Sequence, residues 1–327
     1  MARSARVLVA PDAFKGTLSA PQVARAVADG LRGAGVSAVE LPVADGGEGT
    51  VAVLLEPLRG ELRSARCSDP LGRPVQASWA WLADSRRAIV EMAGASGLAL
   101  LGDDERDAEA ASSYGTGELI LAARDAGALH TVLAIGGTAT SDGGRGALEA
   151  IAAAGGLGEM RLTLACDVNV PFELAAEVFG PQKGADPAAV ARLTARLHEQ
   201  AGELPRDPRG LAMSGAGGGL AGAMWAVHGA ELCSGAVYVL GALRFDRRLA
   251  ECDALVVGEG CLDGQSRRGK VVGEQLVRAR RLGVPVHAIV GSLASGTEWE
   301  RELASVTVAS TPTELRAAGA SLASRLT

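Results

Sequence analysis

Three short polar stretches gather the residue types that phosphate chemistry needs. They are Pro11-Asp12-Ala13-Phe14-Lys15-Gly16-Thr17, Ala44-Asp45-Gly46-Gly47-Glu48-Gly49-Thr50 and GEGCLDGQSRRGK over 258–270. Lys15, Asp45, Glu48, Glu259, Asp263 and Lys270 put two cations beside four carboxylates among small residues. That combination suits a phosphate group with magnesium, because Mg²⁺ takes one or two carboxylates together with phosphate oxygens. In any one stretch, Gly, Asp and Ser could merely serve turns and caps. Three such stretches, each following an apolar run, argue for a site.

The third stretch contains Gly264-Gln265-Ser266-Arg267-Arg268-Gly269-Lys270, a P-loop in every position but the last. Val271 stands where a P-loop carries the Ser or Thr that ligates magnesium. A P-loop also follows its strand directly, whereas the apolar run Ala254-Leu255-Val256-Val257 ends well before Gly264, with Glu259 and Asp263 between. The loop is therefore read as beginning at Gly258, with Lys270 opening the next helix and Val271 packing that helix on a sheet.

A fourth candidate is Ile135-Gly136-Gly137-Thr138-Ala139-Thr140-Ser141-Asp142-Gly143-Gly144, between a strand and a helix. Main-chain N–H groups in such a loop, with the helix N-terminus behind them, make an anion site. Thr138 and Ser141 would add hydroxyl donors, and a tight turn capped by Asp142 is the alternative. Thr116-Gly117-Glu118 opens another helix, and Cys166-Asp167-Val168-Asn169 follows the apolar Leu162–Ala165. Two motifs point away from chemistry. Gly217-Gly218-Gly219-Leu220-Ala221-Gly222 satisfies the dinucleotide pattern GxGxxG, but the Pro- and Arg-rich segment before it is no strand. His130, His198, His228 and His287 have neither metal-ligand spacing nor an evident nucleophile partner.

These loops need elements to hold them. Arg6–Ala10 and Ala38–Val43 read as strands flanking a helix over Ser19–Leu31, with Ser19 as N-cap and Pro21 in the first turn. The C-terminal part repeats the rhythm: strand Ala254–Val257, helix Val271–Leu282, strands Val286–Val290 and Ser305–Val308, and a helix over Pro312–Leu326. Strands alternating with helices imply a parallel sheet covered on both faces. In the middle, Gln76–Leu82 and Arg87–Glu91 read as strands joined by the turn Ala83-Asp84-Ser85-Arg86. They are followed by helix Gly117–Ala126, strand Thr131–Ile135 and helix Gly146–Ala154. The chain is thus expected to be α/β: a Rossmann-like domain of residues 1–65 and 251–327, an inserted α/β domain of 66–250, and an active site in the cleft between them.

The bulk composition agrees. A chain of 327 residues exceeds the roughly 250–300 at which one core stops growing. Apolar residues make up 48%, and the net charge of −6 with scattered basic residues argues against nucleic acid. The N-terminus lacks the apolar core of a signal peptide, and no long apolar span follows, so no membrane role and a cytoplasmic location are expected. Five cysteines without a CxxC indicate neither a disulfide framework nor a zinc site.

Taken together, the chain resembles the bacterial glycerate kinase family, the α/β type acting in glyoxylate and sugar-acid breakdown. The matching stretches are APDAFKGTLSA, ADGGEGT, DPLGRP, EMAGASGLAL, SSYGTGELI, IGGTATSDGG, ACDVN, FGPQKGA, GAGGGLAG and GEGCLDGQSRRGK, in the family's order along nearly the whole chain. The near-P-loop is similar to the family's own GEGxxDGQxxxGK. Departures are a shorter segment between Gly158 and Cys166, an abbreviated stretch after Asn169 with Val170 in place of a second Asn, Cys261 for a typical Arg and Val257 for a typical Thr.

The resemblance implies transfer of the ATP γ-phosphoryl to a hydroxyl of D-glycerate, with the 2-position favoured. It implies ATP and Mg²⁺ as cofactors and leaves room for a homodimer. Asp45, Lys15 and Asp263 are the expected catalytic residues, with Asp45 the general base. Gly136, Gly137, Thr138, Ser141, Asp142, Gly143 and Lys270 are expected at the ATP phosphates. Lys15, Glu48, Asn169 and Glu259 are expected at the substrate, with the carboxylate near Lys15, and Asp167 and Asp263 at the metal. A kinase for a related hydroxy acid, or one forming 3-phosphoglycerate, is the near alternative. A non-catalytic sugar-acid sensor is the distant one, since a sensor has no need of magnesium carboxylates.

Overall fold

The computed structural model describes residues 5–264, 270–294 and 299–326. They fall into two compact units, Met1–Asp45 with Ala236–Thr327, and Gly46–Gly235. The boundaries expected from sequence are 65/66 and 250/251. The earlier first division has a physical cause: the helix Thr50–Leu55 hands the N–H of Val51 to Glu91 at 2.6 Å, and the strand Glu61–Ser68 pairs along its whole length with Pro74–Leu82. At the second, Asp246 of the short helix Phe245–Leu249 is paired at 3.3 Å with Arg278 of the helix Val271–Leu282.

The first unit is a five-stranded, wholly parallel sheet in the order Ser305–Val308, Val286–Val290, Ala254–Val257, Arg6–Val9, Ser37–Glu40. The central strand Ala254–Val257 is buried along its whole length and Arg6–Val9 from Val7 on, as a sheet covered on both faces demands. Val7, Val9, Val256 and Ile289 pack against Val23, Val27 and Leu31 of the helix Ala20–Gly33 and Leu315 and Leu322 of the helix Pro312–Leu326. Those two helices touch at backbone distance. A Cβ at Gly30 would sit 2.0 Å from the Arg316 carbonyl oxygen, and one at Gly319 would sit 2.3 Å from that of Val27. Ser19 caps the first of them, its N–H donating to Gln22 Oε1 at 2.9 Å.

The second unit is a six-stranded mixed sheet in the order Glu61–Ser68, Pro74–Leu82, Arg87–Glu91, His130–Ile135, Arg161–Cys166, Glu231–Ser234. The first three strands are antiparallel and the last four parallel. Trp79, Val90, Ile120, Leu133, Ile135, Leu164 and Met224 form its core. The chain leaving the helix Arg145–Ala153 turns back on three left-handed glycines, Gly155, Gly156 and Gly158, a conformation that costs glycine little.

All five cysteines are free thiols. His130 Nε2 meets Thr163 Oγ1 at 2.9 Å and His287 Nδ1 meets Ser305 Oγ at 2.8 Å, contacts between neighbouring strands. Among the described residues no helix is long and apolar enough to cross a membrane.

Candidate active site

In the first unit, Asp12 lies just beyond the strand Arg6–Val9, Asp45 beyond Ser37–Glu40 and Glu259 beyond Ala254–Val257. From Arg6–Val9 the chain runs outward to Ser37–Glu40 on one side; on the other side lies Ala254–Val257. The strand order reverses there, and in open parallel sheets the crevice at the carboxyl ends of such strands is where ligands bind. A pocket of about 400 Å³ occupies that place, and Asp12, Lys15, Asp45, Glu259, Asp263 and Lys270 all line it.

The chain reaches this geometry through its glycines. The N–H of Asp12 donates to the carbonyl of Gly258 at 2.8 Å, and a Cβ on Gly258 would come within 2.6 Å of the Ile289 carbonyl oxygen. Beyond it Cys261–Leu262 pairs with Ser292–Leu293, so a short strand separates Ala254–Val257 from the helix Val271–Leu282. Lys270 occupies the N-cap position of that helix, and Val271 is 1% exposed. Residues 265–269, the centre of the near-P-loop, lie outside the described residues.

Asp12, Asp45 and Glu259 are each less than a tenth exposed. Lys15 Nζ stands 3.6 Å from Asp45 Oδ2, with the lysine side chain largely in solvent. Burial, and next the charge of Asp45, push the Asp12 carboxyl well above the usual carboxylate range. The N–H of Ala13, at 2.7 Å, and Lys15 pull the other way. The pocket therefore joins an accessible cation, a buried carboxylate beside it and a carboxyl that favours its proton. Such an arrangement can hold an anion and take a proton from a neighbouring hydroxyl.

In the second unit the loop 136–144 joins the strand His130–Ile135 to the helix Arg145–Ala153. Its shape comes from donors and acceptors around it. Leu98 N–H holds the Gly137 carbonyl at 2.9 Å, Lys183 Nζ holds the Thr140 carbonyl at 2.5 Å, and Gln200 Nε2 holds the Gly143 carbonyl at 2.8 Å. Asp142 accepts from the N–H groups of Ser113, Gly144 and Gly146 and from the Ser113 hydroxyl. It thereby ties the starts of two helices together. The main-chain N–H groups of Thr138, Thr140 and Ser141 have no acceptor among the described residues. The carboxylates nearby are Asp167, whose Oδ2 would be 2.9 Å from a Cβ on Gly136, and Glu48, whose Oε2 would be 3.7 Å from one on Gly137.

Of the residues expected from sequence, Lys15, Asp45, Glu259, Asp263 and Lys270 gather in one pocket. Glu48, Gly136, Gly137 and Asp167 gather in the second unit. Asn169 is an exposed residue two positions after Asp167. Asp142 is engaged as a helix cap, and Ser141 is fully buried, its Oγ without a partner among the described residues.

Sequence reasoning passed over two groups, Asp12 and Lys183. Lys183 is 2% exposed. A usable signal existed for it: among the 32 basic residues only Lys15, Lys183 and Lys270 are lysines. In so arginine-rich a chain, lysine marks positions that require a compact point charge.

The model of the family described as "Glycerate kinase family" matches residues 7–155 and 152–327. Glycerate 2-kinase of Escherichia coli K12 is 38% identical over 326 residues, covering 88% of this chain and 85% of that protein. Glycerate kinase of Halalkalibacterium halodurans is 36% identical over 329 residues, covering 89% and 87%. A crystal structure assigned to glycerate kinase 2 of Salmonella typhimurium LT2 superposes with a TM-score of 0.82 at 34% identity, over 99% of this chain and 98% of that one.

Proposed function

The chain belongs to the glycerate kinase family, and from that premise we propose that it transfers the γ-phosphoryl group of ATP to the 2-hydroxyl of D-glycerate, forming 2-phospho-D-glycerate. The observation that carries this reading is the Lys15–Asp45 contact of 3.6 Å. In D-glycerate the carboxylate carbon is bonded to the carbon that bears the 2-hydroxyl. A cation and a carboxylate side by side match that spacing. Lys15 receives the substrate carboxylate, and Asp45 accepts the proton of the adjacent hydroxyl as its oxygen attacks phosphorus. The 3-hydroxyl lies one carbon–carbon bond further out, about 1.5 Å, and suits the pair less well.

Phosphoryl transfer needs alignment and charge neutralisation more than covalent help from the protein. The N–H groups of Thr138, Thr140 and Ser141 are proposed to take phosphate oxygens. Lys270, at the head of its helix, supplies a further cation. Asp142 contributes through the loop's shape and not by contact, since a carboxylate repels phosphate.

Magnesium fits the residues present. Asp167 beside Gly136 and Asp263 in the first unit's pocket are hard oxygen donors. Such an ion shares few carboxylates and takes the rest of its ligands from phosphate and water. When bound, the ion would neutralise charge on the phosphates.

The test is ADP formation by purified protein with ATP, magnesium and a panel of hydroxy acids. D-Glycerate is expected to stimulate it more than its relatives do. ADP held at the no-substrate baseline, with glycerate nevertheless bound, would mark a sensor and not a kinase.

A further inference from the structure

Lys183 ends the short turn Pro181–Lys183 and carries its ammonium into the interior of the second unit. Its Nζ donates to the Thr140 carbonyl at 2.5 Å. Burial pushes its pKa down to about 8, opposed by the charges of Asp142 and Asp167. Asp142 does not require the lysine, since both its oxygens already accept from main-chain N–H groups. Methionine would fill the same volume without the penalty of burying a charge. The ammonium must therefore do something that an apolar chain could not.

The planarity of the peptide says what that is. In a trans peptide the C=O of one residue and the N–H of the next point in opposite directions. Lys183 holds the Thr140 carbonyl on its own side of the loop, so the Ser141 N–H is turned to the other. Leu98 does the same to the Gly137 carbonyl and so to the Thr138 N–H. Neither N–H has an acceptor among the described residues. The Ser141 hydroxyl, fully buried, has none either. Buried donors are almost always paired, and an oxyanion is a partner that such loop donors take.

We propose that Lys183 is a positioning residue for phosphoryl transfer: its ammonium fixes the Thr140–Ser141 peptide and places positive charge behind the loop that takes the nucleotide phosphates. This rests on the reading of 136–144 as the phosphate loop. Lys183 acts through that loop, holding the Thr140–Ser141 peptide in one orientation before the nucleotide arrives.

The test compares Lys183→Met, which keeps the volume, with Lys183→Gln, which keeps a donor for the Thr140 carbonyl but no charge. In Lys183→Met the KM for ATP is expected to rise by about tenfold or more, the value of a hydrogen bond to a charged group, with the KM for D-glycerate within about twofold. Lys183→Gln is expected between wild type and Lys183→Met, and it carries the comparison alone if the latter fails to fold. Parallel rises in both KM values together with a lower unfolding temperature would reduce Lys183 to a packing residue and overturn the inference. A second arm follows amide hydrogen exchange of residues 138–142 in the wild-type protein with and without a non-hydrolysable ATP analogue. No slowing there would remove the phosphate loop itself, and the inference with it. Slowing in the wild type, together with unchanged analogue affinity in the variants, would leave the loop standing and overturn only the role of Lys183.

Discussion

The ammonium of Lys15 stands 3.6 Å from the Asp45 carboxylate, with 63% of the lysine side chain in solvent and 5% of the aspartate. Lys15 is the exposed member of the pair and Asp45 the buried one, so the lysine can be trimmed at the surface without opening the core. Lys15→Met is expected to raise the KM for D-glycerate by about tenfold or more, to leave the KM for ATP little changed and to keep the unfolding temperature within a few degrees. Steady-state kinetics with each substrate varied in turn check this, and an unchanged glycerate KM would take Lys15 away from the substrate carboxylate.

Asp45→Asn replaces a proton acceptor with an amide of the same shape. Turnover is expected to fall by about 10²- to 10⁴-fold, the usual value of a general base, while ATP affinity and far-UV circular dichroism stay at wild-type values. Near-normal turnover would return Asp45 to a turn-shaping role and make Asp263 the next candidate.

Asp12 makes stability depend on pH. Its carboxyl, raised by burial and by Asp45, holds a proton more tightly in the folded protein than in the unfolded chain. Its contribution to stability is therefore full below the unfolded pKa and is lost as pH rises through the folded one. Asp12→Asn removes that loss. Denaturant unfolding across the acid-to-neutral range is expected to show the variant gaining on wild type as pH rises, and parallel curves would mean that Asp12 titrates normally.

Val271→Ser separates a P-loop from a loop that begins at Gly258. Val271 is 1% exposed at the head of its helix, so the serine is expected to cost about 1–3 kcal/mol through lost apolar burial and a hydroxyl without a partner. No gain in turnover is expected, since no magnesium ligand is missing there. A faster and equally stable variant would restore the P-loop reading.

The sequence was most legible where burial acts uniformly on a whole element. Ala254–Val257, Val286–Val290 and Ser305–Val308, and the helices Val271–Leu282 and Pro312–Leu326, have the bounds read from apolar runs and periodicity. Glu61–Ser68 escaped, because ELRSARCS is an edge strand with mostly polar residues and is recognisable only by its pairing with Pro74–Leu82.

The site was legible in its loops and not in its buried charges. Asp12 sits inside a motif that was noticed, yet its burial depends on strands distant in sequence. Lys183 was missed because lysine is ordinarily a surface residue. The glycines 217–219, which imitate a dinucleotide motif, instead pack close to the loop Gly136–Gly144: a Cβ on Gly218 would sit 2.0 Å from the Thr140 carbonyl oxygen. Glycine there answers a need for close approach, which no one-dimensional pattern distinguishes from nucleotide binding.

If the paired Lys15 and Asp45 direct phosphate to the hydroxyl next to the carboxylate, the product carries its phosphate on C2. Purified protein is incubated with ATP, magnesium and D-glycerate, and the product is read by phosphorus–proton coupling in NMR. The expected spectrum shows phosphorus coupled to the single proton on C2, in amounts equal to the ADP formed. Phosphorus coupled to the two C3 protons, or no phosphorylated product above the ATP-only control, would contradict the account.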